Sequence, residues 1–201
     1  MIHPDTALVR IDETVGYGLV ATRPLPRGTI TWVQDVLDQV LPPERWRALP
    51  AAYAELIDRY TYGDAQDNRI LIWDLGRQMN HSCDPNCFGT LYGFEVALRD
   101  IAAGEQLTND YGTLFQEPHE GFACTCGASD CRGTTGAPIT PSQLTRLRVM
   151  LRDALEFLPQ ASQPLGALLH PDALLGAFRD LGADPELARV AAGLSDRSPR
   201  P

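Results

Sequence analysis

No stretch of this chain approaches the roughly 18 consecutive apolar residues of a membrane span, so no membrane association is expected. The opening residues, MIHPDTALVR, lack the basic and apolar regions of a secretory signal, and the cytoplasm is the expected compartment. There is no internal repeat and no low-complexity tract. Positive charge is scarce: 17 basic side chains against 26 acidic ones leave a net charge of −9. That balance disfavours direct nucleic-acid binding and favours encounter with a basic partner, ordinary solubility charge being the competing reading. At 201 residues the chain is long enough for one cored domain with an appendage.

Cysteine is absent after Cys131 and concentrated before it: Cys83 and Cys87, then Cys124, Cys126 and Cys131. A reducing compartment argues against disulfides. The C-x-C-x4-C array brings three thiolates within reach of one tetrahedral zinc ion, and the fourth ligand must come from Cys83 or Cys87. Free buried thiols are the alternative.

Residues 7–34 read as short strands, ALVRI, YGLVAT and TITWVQ, separated by glycines and by PLPRG. Residues 43–59 read as helix after Pro43, with Pro50 breaking it into two pieces. A strand should end near Asp74, followed by the loop QMNHSCDPNCFG, one or two strands in residues 90–99, and a Gly turn with a short strand leading to Tyr111. From Thr140 the pattern turns helical: Thr140 caps, Pro141 takes the first position, Gln143 completes a capping box, and Leu144, Leu147, Leu151, Leu155 and Leu158 share one face. Asp172 and Asp184 should start two further short helices.

Four segments in this order, GYGLVATRPLPRGT (16–29), GRQMNHSCDPNC (76–87), ALRDIAAGEQLTNDYG (97–112) and CTCGASDCRG (124–133), resemble the SET-domain protein lysine methyltransferases with a post-SET zinc module. The resemblance implies a mainly β fold with helices, built of small curved sheets and a pseudoknot between residues 80–86 and the segment near Tyr111. It implies a SET domain over 5–115 with an insert at about 37–72, a zinc segment over 120–136, and a helical C-terminal extension over 140–195.

The same resemblance implies transfer of a methyl group from S-adenosylmethionine to a lysine amine. Gly16, Tyr17 and Gly18 would hold the cofactor by main-chain contacts, Asn80 by its amide, and His81 mainly by its main chain. Phe122 would pack beside adenine. Tyr111 matches the catalytic tyrosine, and Tyr60, Tyr62 and Asn109 are candidates for the substrate channel. Cys83 matches the zinc ligand that joins Cys124, Cys126 and Cys131, leaving Cys87 spare. Asn109 departs from the Phe or Tyr common there, at a position tied to the number of methyls added, and Gln78 replaces an aromatic or apolar residue. Asp74, Arg77, Asn86 and Glu105 are expected to be structural. Asp84, Asp110, Glu117, Glu120 and Asp130 form a candidate acidic rim for a basic protein, histone or histone-like. A non-catalytic module binding such a partner is the alternative function. A methyltransferase of this kind could act on its own cell's proteins or, exported as an effector, on another cell's chromatin. A monomer is expected, with dimerisation through the C-terminal helices as the alternative.

Overall fold

Thr6–Asp12 (β1) and Gly16–Ala21 (β2) form an antiparallel hairpin in the computed structural model, which describes residues 1–64, 66–114 and 121–180. Its turn is set by Asp12, whose carboxylate accepts from the N–H groups of Thr14 and Val15 at 2.7 Å, and by Gly16 at φ +79°, a conformation that favours glycine. Ile30–Val33 (β3) is next, then Gln39–Leu41 (β4), which opens the insert. The expected helical piece divides at Pro50 as read: Pro43–Trp46 (α1) precedes it, and a 3-10 turn over Ala51–Tyr53 leads into Ala54–Tyr60 (α2). Thr61–Gly63 (β5) and Arg69–Leu71 (β6) close the insert as a three-stranded sheet in the order β4-β6-β5.

Asn80–His81 (β7), Cys87–Gly89 (β8), Phe94–Ala97 (β9) and Thr108–Asn109 (β10) follow. A second three-stranded sheet has the order β3-β9-β8, whereas β7 and β10 pair in parallel, Thr108 opposite Asn80 and Asn109 opposite His81. Small separate sheets are therefore the scaffold, as expected.

Pro141–Phe157 (α3) starts with the full capping box: Thr140 Oγ1 accepts from Gln143 N–H, and Gln143 Oε1 accepts from Thr140 N–H at 3.2 Å. Leu147, Leu151, Leu155 and Leu158 then pack into one core with Ile30, Phe94, Val96 and Leu98 of the β3-β9-β8 layer. Burying each leucine contributes about 2 kcal/mol. Leu144 does not share that burial; it lies in the first turn of α3 and is 36% exposed. Pro171–Asp180 (α4) adds Leu174 and Phe178 to the same cluster. The tail is fastened at Gly28, where an added Cβ would lie 2.7 Å from the Ala154 carbonyl, and whose own carbonyl accepts from Gln163 Nε2 at 2.8 Å. The leucine face is thus spent inside the chain. The further helix expected at Asp184 lies outside the described residues. Among those described, no helix is long and apolar enough to cross a membrane.

Candidate functional site

The loop after β7 is stitched to the segment before Tyr111 mainly through Asn86. Its amide donates to Glu105 Oε1 at 3.0 Å and to the Gln106 carbonyl at 2.8 Å, and its oxygen accepts from Thr108 N–H at 2.8 Å. Ser82 N–H donates to the Asn109 carbonyl at 2.9 Å. Asn86 and Glu105 are structural, as read; Asp74 is too, accepting from Gly76 N–H at 2.8 Å and Ile2 N–H at 2.6 Å. Asn80 turns toward β2, its amide donating to the Tyr17 carbonyl at 3.0 Å. A Cβ on Gly18 would lie 2.5 Å from that same amide nitrogen, so a side chain there would displace the Asn80 amide. Gly16, Tyr17, Gly18 and Asn80 are thereby gathered in one cradle.

His81 connects two parts of the site. Its Nδ1 accepts from Tyr111 N–H at 3.1 Å, which puts the proton of a neutral ring on Nε2, 3.4 Å from Cys83 Sγ. The side chain is thus committed inside the protein, leaving only its main chain for the cofactor contact expected of it.

Cys83, Cys124, Cys126 and Cys131 present four sulfurs that all lie within 4.8 Å of one another. Four ligands on a tetrahedral zinc ion, with bonds of about 2.3 Å, place their sulfurs about 3.8 Å apart. Cys83 Sγ stands 3.9 Å from that of Cys124 and 4.0 Å from that of Cys131. Main-chain N–H groups of Cys83, Arg132 and Gly133 point at the sulfurs of Cys126, Cys83 and Cys131 from 3.4 to 3.5 Å, the outer contacts that orient thiolates on a metal. Burial pushes the Cys83 and Cys124 thiols up to about 11 and about 12. At Cys126 burial is outweighed by the N–H groups of Cys83 and Ala128 and by neighbouring thiols, which bring it down to about 7. The donor set fits one structural zinc. Cys87 stands apart, fully buried among Leu19, Met79, Ala97 and Leu107, its thiol held well above the usual range by that burial.

Asp110 is not part of an acidic rim. Its carboxylate is fully buried and receives Arg132 in a two-pronged pair, Nη1 to Oδ2 at 2.8 Å and Nη2 to Oδ1 at 2.6 Å. It also accepts from Gly112 N–H at 2.9 Å, starting the turn that carries Tyr111. The sequence alone places this charge at the surface, whereas a guanidinium from the cysteine segment takes it inside. Asp84 and Asp130 remain at the surface but are engaged by Arg146 of α3 at 3.4 and 3.3 Å. Glu117 and Glu120 lie outside the described residues.

Beside the cradle lies a cleft enclosing about 660 Å³, including its solvent-open part, and lined by Tyr60, Tyr62, Asn109 and Tyr111 among others. Tyr111 donates its hydroxyl to the Met79 carbonyl at 2.8 Å; burial raises this phenol to about 12, so it stays protonated at neutral pH. Its ring stands edge-on to Phe122 at 6.4 Å, and Phe122 is 63% exposed, beside Tyr111 with most of its surface unburied. Tyr62 is buried edge-on to Trp32 at 5.5 Å and donates to Gln34 Oε1 at 2.9 Å. Arg59 and Arg77 stand at the exposed end, their guanidiniums 5.5 and 5.8 Å from the Tyr60 ring centre. Arg77 therefore lines the opening and does not fix the loop.

Two groups escaped the sequence reading. Trp32 forms one wall of the cleft. Glu95, on the fully buried strand β9, enters the cleft as a carboxyl that accepts a hydrogen bond from Asn109 Nδ2. Burial raises Glu95 to about 7. A lone acid within the apolar run FEVA was the available signal.

Residues 16–112 match the SET domain as a family. The histone-lysine N-methyltransferase SETD2 of Homo sapiens is 31% identical over 147 residues, which is 67% of this chain and 6% of SETD2. An H3 lysine-36 specific histone-lysine N-methyltransferase of Cryptococcus neoformans is 27% identical over 163 residues, 73% of this chain and 19% of that protein. One from Schizosaccharomyces pombe is 28% identical over 163 residues and 20% of its length. This chain thus spans a fifth or less of these relatives.

Proposed function

From the SET-domain family, to which this chain belongs, and from the geometry around Tyr111, we propose that it is an S-adenosylmethionine-dependent protein lysine N-methyltransferase acting on a basic protein, histone or histone-like. The observation that carries this reading is the position of Tyr111. It stands between the glycine cradle, reached through Asn80 and Met79, and an aromatic cleft of the right character for an alkyl amine.

When bound, the cofactor supplies an electrophilic methyl on a sulfonium. The cradle of Gly16, Tyr17, Gly18 and Asn80 would hold it, with the Asn80 amide brought close to the Gly18 backbone and bonded to the Tyr17 carbonyl. The main chain of His81 and the ring of Phe122 complete that pocket. Tyr60 and Tyr62 flank the lysine stem, with Asn109 at the inner end. Tyr111, kept protonated and pinned to the Met79 carbonyl, would orient the amine toward the methyl group that the cofactor supplies. A free lysine amine, with a pKa of about 10.4, is mostly protonated at neutral pH, and desolvation in the cleft lowers that value.

Zinc on Cys83, Cys124, Cys126 and Cys131 would order the cysteine segment against Tyr111 through Arg132 and His81. The division into a catalytic domain over 5–115, a zinc segment over 120–136 and a helical extension over 140–195 belongs to the same proposal. Transfer of isotopic methyl label from S-adenosylmethionine to core histones by the zinc-loaded protein tests it. Peptide binding without transfer to any basic protein would leave a binding module instead.

A further inference from the structure

Among the described residues, a single hydrogen bond reaches the Glu95 carboxyl, and it comes from Asn109. The acid sits on β9 opposite Trp32, is 8% exposed, and shares the cleft with Tyr111 and Tyr62. A buried carboxyl with no cationic partner is costly, and packing alone does not explain one on the wall of an alkyl-amine channel. We propose that Glu95 is the proton acceptor for the lysine amine in this channel, with Asn109 as the residue that positions and tunes it. The inference rests on the methyltransferase reading above and adds a group to it.

The lysine ammonium enters the cleft and faces the Glu95 carboxylate. An N–H bond breaks and an O–H bond forms, giving a neutral amine and a neutral carboxylic acid. At the buried end of the cleft, where Glu95 is 8% exposed, this uncharged pair is favoured over two desolvated ions, which offsets the basicity difference that water would impose. The amine lone pair then forms the N–C bond while the C–S electrons of the sulfonium methyl donor return to sulfur. Ammonium and sulfonium become a methylammonium and a neutral thioether, and the Glu95 proton leaves to solvent. Charge balances at two positive on each side.

The surroundings set the acid near working pH. Burial raises it to about 7; the Asn109 amide holds it from rising further, Asp74 pushes it up, and the Met1 amine pulls it down. Tyr62 and Tyr111 face it as protonated phenols, their ionisation raised by burial. Asp58, Arg59 and Arg77 lie at the solvent end of the cleft.

The test is the pH profile of kcat/KM with a lysine peptide, run beside carbon-13 NMR titration of Glu95 in cofactor-free protein. Wild type should rise with an apparent pKa near 7 and then level, matching the NMR titration. Glu95→Gln should lose about 100-fold or more at pH 7, the scale of general-base catalysis. That loss should shrink as pH approaches that of free lysine ionisation. Asn109→Leu removes a bond that lowers the Glu95 pKa, so it should move both the NMR titration and the acid limb to higher pH; this variant stands in if Glu95→Gln fails to fold. A Glu95→Gln profile equal to wild type, or an acid limb unmoved in Asn109→Leu, overturns the role of Glu95. Absence of any transfer by wild type overturns the methyltransferase reading itself, a distinguishable result.

Discussion

Arg132 and Asp110 meet as a buried two-pronged ion pair at 2.6 and 2.8 Å, and through it the cysteine segment grips the turn that presents Tyr111. Arg132 N–H also points at Cys83 Sγ from 3.5 Å, so one residue touches both the thiol cluster and the turn that carries Tyr111. Neither charge has water to fall back on.

Removing one partner should therefore strand the other. Asp110→Asn or Arg132→Met alone should cost about 3–5 kcal/mol, whereas the double replacement should cost less than the sum. Urea midpoints of the three variants measure this. Equal, small losses would mean the pair is not buried in solution.

Zinc should be bound at one ion per chain and depend on four particular thiols. Cys124→Ser and Cys83→Ser should lose most bound metal by elemental analysis, while Cys87→Ser, altering only a core position, should retain it. Chelation should abolish methyl transfer along with the order of the cysteine segment. Metal loss in Cys87→Ser would reassign the fourth ligand.

Glu95 should cost stability at neutral pH. Its folded-state pKa of about 7 lies above its ordinary 4.5, so the folded protein holds a proton that the unfolded chain has released between those values. Stability falls as pH rises through that window, by about 3 kcal/mol at the scale of 1.36 kcal/mol per unit. Glu95→Gln should match wild type near pH 4 and exceed it near pH 8. Parallel stability curves for the two proteins would show that the carboxyl is not desolvated.

Gly18→Ala should weaken S-adenosylmethionine binding by at least about tenfold, because the new Cβ meets the Asn80 amide at 2.5 Å. Loss of the ligand-induced thermal shift, over and above the lower ligand-free Tm that the clash itself causes, is the expected readout. An unchanged shift would remove the cradle from the account.

Local signals were readable in the sequence. The strands β1 and β2 followed from short β-rich runs separated by glycines, α3 from its capping box and leucine spacing, and the cysteine cluster from thiol spacing and from the match at Cys83. What escaped depends on contacts distant along the chain. Asp110 looked like surface charge because its partner Arg132 is 22 residues away. Asn109 stands out as unusual in the sequence, but its hydrogen bond to Glu95 on another strand does not, and an acid in one short run says nothing of the cleft it faces. Leu144 obeyed the helical period, yet periodicity does not reveal where a helix runs past the surface it covers.

All 17 basic side chains of these 201 residues are arginine, so the chain offers no lysine side chain of its own. Any methyl-lysine that appears must sit on a substrate. The direct measurement is accordingly mass spectrometry of core histones and a bacterial nucleoid-protein mixture, incubated with zinc-loaded protein and S-adenosylmethionine, with Tyr111→Phe alongside. The account predicts single-methyl mass steps on particular lysines, absent or strongly reduced in the variant. Unmodified lysines with the cofactor bound and zinc in place, or equal methylation by the variant, would contradict it.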